Sequence, residues 1–344
     1  MKALEQTLEH YKAFNSFFDK GFIDLFFQSV LHGEDGKNYF LTYAIAKASR
    51  GEYLMESGRM TIGQQPVIYF TTPSSKIIRK GETPEINKRV VLPAGARKVE
   101  VTSSALTWRF ENFEVICTPP DYRMLHRGED VSVDLTFKSI GPPFWFAPPD
   151  EKGLQVTPSS TQWGLESFSD VEGTITLAGK TISVKGVGIH EHVITEHISW
   201  LEFGWMDWIW FVFEDMYGLI FDMHGGACKK RMVYFRKEKE YLPLIDFDID
   251  HPQWAFSPAL HRQWPIAINA HAVTEKGTLF IEGNVLRSQT WTESVNRYVP
   301  AMTMPAADME VPWKGTFTFN GGRVLTLNNG RGADEIVANF NFAQ

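Results

Sequence analysis

The chain has 344 residues, of which 43% are hydrophobic and 22% are charged, and this is the balance of a folded protein and not of a disordered one. At about 150 residues per domain, the length predicts two domains. The net charge is −7 and no basic block is longer than Lys229-Lys230-Arg231, which argues against a nucleic-acid partner. The longest apolar run extends from Trp208 to Phe213 and is too short to span a bilayer.

The N-terminus and the cysteines bear on where the protein resides. Residues 1–9 contain no apolar stretch of the kind found in a secretory signal. The two cysteines, Cys117 and Cys228, form one disulfide at most, and no Cys-x-x-Cys pair offers a zinc site. These features predict a protein of the reducing cytoplasm.

Residues 1–30 are expected to be helical. Apolar side chains recur every three or four residues and would lie on one face: Leu4, Leu8, Tyr11, Phe14, Phe18, Phe22 and Leu25. Gly21 weakens the middle of this segment, which allows two shorter helices instead of one. Basic residues are few on the polar face, so we expect the segment to pack on the protein's own core and not on a membrane.

After residue 36 the hydrophobic period changes to two, which is the period of half-buried β-strands. Clear alternation occurs in four stretches, at residues 39–45, 106–110, 113–117 and 131–137. Strands at this spacing, separated by glycine, proline and asparagine, favour antiparallel sandwiches or barrels over βαβ units.

Prolines between residues 142 and 149 interrupt the strand pattern, and we place a domain boundary near residue 150. Beyond it, two further hairpins are predicted, with turns at Ala178-Gly179 and around Asn320-Gly321-Gly322. The predicted architecture is all-β. It consists of an N-terminal helical segment (residues 1–30) and two antiparallel barrel or sandwich domains (residues 31–150 and 151–344).

Residues 186–224 contain four of the ten histidines and carry the most unusual chemistry of the chain. If Leu201 to Phe213 form one strand, Asp207 is the only polar side chain on a face of large apolar groups, where a carboxylate is costly to ionise. A turn over residues 214–218 then places Asp207 opposite His224, within one register step. We interpret the two as a candidate proton donor–acceptor pair; the alternative is a structural pair that fixes the register of a wide barrel.

The triplet His190-Glu191-His192 is the second candidate site. On a strand the two histidines point to one side and Glu191 to the other. Two histidines in this spacing can chelate a metal, but no further ligand stands at a diagnostic spacing, and we predict no tightly bound transition metal. The alternative is that Glu191 acts as a general acid in a pocket, backed by His192. The candidates considered as further metal ligands are Glu196, His197 and Asp207.

No other motif points to a cofactor. The acidic run from Asp246 to His251 lacks the glycine and the terminal glutamate of a calcium-binding EF-hand loop, and we interpret it as a solvated edge. The glycine pairs near residues 321 and 330 do not lead from a strand into a helix, as a dinucleotide-binding loop does. The sequence therefore predicts no flavin, nicotinamide or haem, and without a Gly-x-Ser-x-Gly motif esterase chemistry has no support.

The segment Gly186-Val187-Gly188-Ile189-His190-Glu191-His192, followed by Trp205-Met206-Asp207-Trp208, resembles the tandem lipocalin-like (calycin) superfamily. This group includes hydroxyneurosporene synthase, AttH-type proteins, kievitone hydratase and lipocalin-like Diels–Alderases. Its hydratase members carry a Gly-x-Gly-x-x-Asp-His-x-Trp-Gly pattern. The sequence matches the first part of it, with glutamate at position 191 in place of aspartate, and has Ile194-Thr195 where the pattern has Trp-Gly. The segment from Val311 to Phe317 is also similar to the last strands of the family.

The resemblance implies two lipocalin-like β-barrels whose interface or second barrel holds a hydrophobic small-molecule substrate. Members of the family add water to, or cyclise, isoprenoid and polyketide-like molecules. The resemblance therefore implies a cofactor-independent hydratase or cyclase of specialised metabolism that acts on a terpenoid, polyene or polyketide. Glu191 or Asp207 would donate the proton, and His192 or His224 would tune or relay it. The side chains expected to line the pocket are His190, Trp205, Trp208, Trp210 and Phe211.

Aromatic residues make up 14% of the chain and suit such a pocket, because their faces stabilise developing positive charge. Two alternatives stay open. A pericyclic enzyme of the Diels–Alderase type would use the same cavity to preorganise its substrate, and a non-catalytic protein would only carry a hydrophobic ligand. Buried acids favour an enzyme, since a carrier gains little from burying them.

Overall fold

The computed structural model describes residues 5–17, 22–47, 54–63, 85–92, 97–110, 112–129, 131–196, 204–224, 229–257, 262–294 and 303–338. His197 and Cys228, which enter the sequence predictions, fall outside these ranges. One α-helix, α1, spans Leu8–Phe17, and the hydroxyl of the preceding Thr7 accepts a hydrogen bond from the His10 amide at 3.4 Å, as an N-cap residue does. No helix in the described part of the chain is long and apolar enough to cross a membrane.

The helix is shorter than the predicted N-terminal helical segment, because its second half is a strand. Strand β1 spans Phe22–Gly33. Its residues Leu25 and Phe27 face one hydrophobic core, and Phe26 and Val30 face another. With both faces buried, the strand shows no alternation of polar and apolar residues, so its spacing imitates that of a helix. The helix prediction is wrong for this half.

Thirteen strands, β1 among them, form the first sheet. The others are β2 (Asn38–Lys47), β3 (Leu54–Gly63), β4 (Glu85–Leu92), β5 (Arg97–Val101), β6 (Leu106–Phe110), β7 (Phe113–Thr118), β8 (Asp121–Arg127), β9 (Val131–Ser139), β10 (Phe144–Ala147), β11 (Leu154–Gln155), β12 (Thr161–Leu177) and β13 (Lys180–Glu196). Their order is β4-β3-β2-β1-β13-β12-β9-β8-β7-β6-β5, and β10 and β11 pair with β12. The four alternating stretches of the sequence are β2, β6, β7 and β9, as predicted.

Ten strands form the second sheet. They are β14 (Trp205–Val212), β15 (Met216–His224), β16 (Lys229–Phe235), β17 (Glu240–Ser257), β18 (Arg262–Thr274), β19 (Gly277–Asn284), β20 (Arg287–Ser294), β21 (Thr303–Glu310), β22 (Trp313–Phe319) and β23 (Val324–Ala338). Because β14 pairs with both β15 and β23, eight of these strands close into an antiparallel barrel. The all-β prediction is confirmed.

The two sheets divide the chain between Glu196 and Trp205. The domain boundary near residue 150 stays a prediction. The long β12–β13 hairpin joins the first sheet, since β12 pairs with β9 and β13 pairs with β1. The proline-rich stretch contributes only the short strand β10 beside β12. The predicted hairpin turn is present at Ala178 and Gly179, which both have positive φ, at 47° and 78°.

The described residues form three hydrophobic cores. The first core lies within the first sheet, which curls until the Tyr43 hydroxyl on β2 reaches His126 Nδ1 on β8 at 2.9 Å, and α1 inserts Tyr11 and Phe14 into it. The barrel core lies within the barrel. The interface core lies between the first sheet and the barrel, and its larger side chains include Phe26, Phe144, Phe168, Trp208, Trp210 and Phe221.

Candidate functional site

Strand β14 is buried on both faces and places its even-numbered side chains in the interface core. The Trp208 Nε1–H group donates a hydrogen bond to Glu166 Oε1 at 2.8 Å, and the Trp210 Nε1–H group donates one to Gln28 Oε1 at 2.6 Å. Both acceptors belong to the first sheet. Because a buried indole N–H requires an acceptor, these two bonds help to fix how the barrel docks on the first sheet.

Two carboxyl groups lie side by side at this interface. Glu166 on β12 is fully buried, and its Oε2 atom has no hydrogen-bond partner in the described structure. Burial raises the pKa of Glu166 to about 8, although the hydrogen bond from Trp208 opposes the shift. Glu166 is therefore mainly a neutral carboxylic acid at pH 7. Glu191 on β13 is partly buried and lies directly opposite Glu166 in the register, where Cβ atoms are about 5 Å apart.

Aromatic side chains surround the two carboxyl groups. Phe26 on β1 pairs with Glu191, and its ring meets the Trp208 ring edge-on, with 5.4 Å between centroids. Phe144 on β10 pairs with Glu166. We call Glu166, Glu191, Phe26 and Trp208 the interface site. The faces of aromatic rings attract cations. An acid beside such rings can protonate an unsaturated carbon, and the rings can then stabilise the cation that results.

A second polar group lies on the opposite face of β14, inside the barrel. Asp207 is fully buried; its Oδ2 atom accepts a hydrogen bond from Trp205 Nε1 at 2.8 Å, and its Oδ1 atom lies 3.0 Å from Nε2 of His251 on β17. His224 Nε2 lies 3.3 Å from carboxylate oxygens of both Asp207 and Asp222. The His224 side chain is 45% exposed, so this group reaches solvent.

Asp334 on β23 completes the group, and we call Asp207, His251 and Asp334 the barrel cluster. One ligand atom from each of the three lies within 4.8 Å of the others. Burial opposes the ionisation of Asp207, but hydrogen bonds with His224 and His251 outweigh it and lower the pKa of Asp207. Burial, followed by the charges of Asp207 and Glu335, raises the pKa of Asp334 well above its usual range. Such a cluster can hold a proton or a metal ion.

His190 and His192 point into the first core, on the side of β13 opposite to Glu191. His192 packs against Tyr11 and Trp108, with ring centroids 5.4 Å apart in each case, and burial lowers its pKa to about 3. His190 stacks on Phe27 at 4.2 Å, and burial, with His192 as a lesser cause, lowers its pKa well below the usual value. Both imidazoles are therefore neutral at pH 7 and part of the packing of this core.

The predicted site residues lie in three separate places. The interface core holds Glu191, Trp208 and Trp210; the barrel side of β14 and β15 holds Trp205, Asp207, Phe211 and His224; the first core holds His190 and His192. A metal site formed by His190, His192 and Asp207 is not assembled, because these residues face different cores. Of the other ligands considered, the Glu196 side chain and His197 lie outside the described residues.

The predicted contact between Asp207 and His224 is present, with a register difference. The residue directly opposite Asp207 is Asp222, and His224 lies opposite Trp205, because the turn is centred one residue earlier than predicted. His224 still reaches Asp207 diagonally. The catalytic and binding roles of the predicted residues stay predictions.

Sequence reasoning missed Glu166, His251 and Asp334. For Glu166 a signal existed, because continuing the register of the β12–β13 hairpin from its predicted turn places Glu166 opposite Glu191. His251 follows the acidic run that we interpreted as a solvated edge. Its contact with Asp207 crosses the barrel interior between strands that are not paired, and no spacing along the chain reports such a contact.

Residues 80–311, more than half of the chain, match the model of a family described as domain of unknown function DUF7064. The chain belongs to the DUF7064 family. No curated protein matches this DUF7064 chain in sequence.

Solved structures share the fold of this DUF7064 protein. An AttH-type protein from Nitrosomonas europaea is 15% identical, with 98% of this chain and 97% of that chain covered and a TM-score of 0.63. A crystal structure of CghA is 9% identical, with 92% of this chain and 88% of that chain covered and a TM-score of 0.59. CghA has also been crystallised with Sch210972. Kievitone hydratase from Nectria haematococca is 10% identical, with 92% and 89% covered and a TM-score of 0.53. This chain therefore shares its fold with these three proteins, which belong to the groups that the resemblance named.

Proposed function

We propose that the protein is an enzyme that protonates an apolar, unsaturated small molecule held at the interface site, and that it acts as a hydratase or as an intramolecular cyclase. The observation that carries this proposal is the neutral carboxylic acid of Glu166 beside the motif residue Glu191, next to the rings of Phe26 and Trp208. A structural neighbour that is named a hydratase agrees with this reaction class. A terpenoid, polyene or polyketide is the substrate class that we infer.

In the proposed reaction, Glu191 gives its carboxyl proton to one carbon of a substrate double bond. The π-electron pair forms the new C–H bond and leaves a cation on the neighbouring carbon, which the rings of Phe26 and Trp208 stabilise. In a hydratase, water adds to this cation and returns a proton to the Glu191 carboxylate. In a cyclase, a second double bond of the substrate attacks the cation, and a C–H proton returns to the same carboxylate. Either cycle restores the enzyme without an oxidant.

Glu166 is a positioning residue in this scheme. While it stays neutral it does not repel the carboxylate that Glu191 becomes after proton transfer, and adjacent carboxyl groups share their protons as a pair. Its hydrogen bond also orients the Trp208 ring. Asp207 and His224, the other predicted catalytic residues, belong to the barrel side of β14, and the β14 backbone separates them from the interface site. We assign them a different role.

The test is an incubation of the purified protein with a panel of apolar polyenes, terpenoids and polyketides. Mass spectrometry distinguishes a hydrated product, which gains one water, from a cyclised product of unchanged mass. We expect Glu191→Gln to lower the rate by about 10²–10⁴ while ligand affinity changes little, because the amide keeps the shape and lacks the transferable proton. Glu282→Gln, at an exposed ion pair with Lys314 on the barrel, is the matched control.

Two outcomes would overturn the acid mechanism. A pericyclic enzyme would keep full activity in Glu191→Gln and lose it in Trp208→Ala, which changes the shape of the pocket. A carrier protein would bind members of the panel and release them unchanged. Far-ultraviolet circular dichroism of each variant must first match that of the wild type, since removing one partner from a buried group can itself unfold a protein.

A further inference from the structure

The barrel cluster has a geometry that the proposed reaction does not use. Asp207 comes from β14, Asp334 from the neighbouring strand β23, and His251 from β17, which pairs with neither of them. The three side chains converge inside one end of the barrel, with ligand atoms within 4.8 Å of one another. Two ligand atoms of a tetrahedral zinc ion, each about 2.1 Å from the metal, lie about 3.4 Å apart, so side-chain shifts of about 1 Å bring all three into coordination range.

No basic side chain of the lysine or arginine type neutralises the cluster in the described part of the chain. Asp207 and Asp334 are both fully buried, and neither forms an ion pair with a described lysine or arginine. The groups that face Asp207 are the Trp205 indole, the imidazoles of His224 and His251, and a further buried acid, Asp222, which lies opposite it on β15. Buried carboxylates in proteins are normally paired with a cation or coordinate a metal, because an uncompensated charge in an apolar interior is very costly.

Asp334 gives a second, independent indication. Neither of its carboxylate oxygens meets a partner with full hydrogen-bond geometry in the described structure, and the Trp208 backbone amide is the group that favours its ionised form. Its cross-strand neighbours, Ile209 and Met309, are apolar and buried. Since nearly all buried polar side-chain atoms in native proteins have a partner, these oxygens point to a missing ligand, and the ligand that suits two carboxylates and an imidazole is a cation.

We propose that Asp207, Asp334 and His251 bind a divalent transition-metal ion, with zinc as the probe that suits this mixture of oxygen and nitrogen ligands. His224, 3.3 Å from Asp207 and 45% exposed, stands beside the route from solvent. The ion would link β17 to the β14–β23 pair across the barrel interior and so stabilise the barrel. This inference replaces our sequence prediction of no bound metal, which considered only His190 and His192 as primary ligands. It goes beyond the proposed function, and it does not depend on it.

The experiment uses the full chain, stripped with a chelator, supplied with Zn²⁺ and desalted. We expect elemental analysis to find one equivalent of zinc per chain and thermal denaturation to show a higher Tm than for the stripped protein, because a ligand that binds only the native state stabilises it. Asp334→Asn and His251→Asn should each weaken zinc binding at least tenfold and abolish the shift in Tm. Asp248→Asn, exposed on the same strand as His251, should behave like the wild type.

The opposing outcomes are equally definite. A wild-type chain that retains no zinc and shows no shift in Tm would mean that a proton, and not a metal, occupies the cluster. Zinc retained equally by both variants would place the ion elsewhere. Should Asp334→Asn fail to fold, His251→Asn decides, since it removes the imidazole ligand and leaves both carboxyl groups in place. Parallel titrations with Ca²⁺ and Mg²⁺ test the choice of ion, and tighter binding of either would overturn the assignment to a transition metal. No substrate enters these measurements, so their failure leaves the proposed function untouched.

Discussion

Replacing Glu166 with glutamine should change the pH dependence of stability in a defined direction. In the folded protein the pKa of Glu166 is about 8, against 4.5 for an unperturbed glutamate. A group whose pKa is raised on folding contributes its stability fully below the unfolded pKa and loses that stability as the pH rises through the folded pKa. The interval covers about 3.5 pH units, and at about 1.4 kcal/mol per unit the wild type should lose about 5 kcal/mol between pH 4.5 and pH 8.

The glutamine variant removes this loss and keeps the shape. Its side-chain oxygen can still accept the Trp208 indole hydrogen, and its amide does not ionise. The amide N–H₂ group would replace the unpartnered Oε2 atom and be left without an acceptor, which lowers stability by an amount that is the same at every pH. The free energy of unfolding of Glu166→Gln minus that of the wild type should therefore rise from pH 5 to pH 8.5.

Urea denaturation followed by tryptophan fluorescence, at half-unit steps of pH, measures this difference. Subtracting the variant from the wild type cancels the titrating groups that do not interact with Glu166. Glu282→Gln, at an ion pair with Lys314 on the barrel surface, is the control for a carboxyl-to-amide change away from the interface site. A difference between Glu166→Gln and the wild type that stays constant from pH 5 to pH 8.5 would refute the reasoning, because it would mean that Glu166 is ionised in the folded protein at neutral pH.

Two further predictions concern packing. The pKa of His192 is about 3 in the folded protein and 6.5 in the unfolded chain, so its contribution to stability is present above pH 6.5 and is lost as the pH falls. By pH 4.5 the wild type should have lost about 3 kcal/mol of its free energy of unfolding in this way. His192→Phe should remove this loss between pH 6.5 and pH 4.5, as measured by urea denaturation. Gly332→Ala should lower the free energy of unfolding by about 3 kcal/mol, because a methyl group there collides with the Trp210 carbonyl oxygen. Gly321 has open space around it, so Gly321→Ala should change the free energy of unfolding by less than about 0.5 kcal/mol. Thermal denaturation of the two variants measures this difference.

Strands with one solvated face were recognisable from their alternation, whereas β1, which is buried on both faces, was not. In β9, Val131, Val133, Leu135 and Phe137 face the core while their neighbours face outward, so the sequence alternates. In β1 both sides are apolar and the period of two disappears. Alternation of polar and apolar residues identifies a strand only where one of its faces is exposed to solvent. Because β1 lies between two hydrophobic cores, neither of its faces is exposed and its sequence does not alternate.

The same limit applies to the sites. Glu191 and Asp207 could be picked out because each is an acid among apolar residues on a single strand. Their partners could be found only from the pairing of strands, and the accuracy of that pairing falls with distance in sequence. Glu166 is one hairpin away from Glu191. Asp222, the residue opposite Asp207, is two residues from the predicted partner His224, and His251 reaches Asp207 across the barrel from a strand that does not pair with β14.

The two faces of β14 connect the proposals to the architecture. A strand enclosed between two cores brings one row of side chains to the interface and the other to the barrel interior, so adjacent residues such as Asp207 and Trp208 serve different sites although their backbone is shared. A change at Trp208 that alters only its side chain should affect catalysis at the interface site and leave zinc binding unchanged. A change at Asp207 should do the reverse, because a strand transmits little from one face to the other as long as its backbone hydrogen bonds to β15 and β23 are intact. Coupled effects from both substitutions would show instead that the interface site and the barrel cluster act as one site.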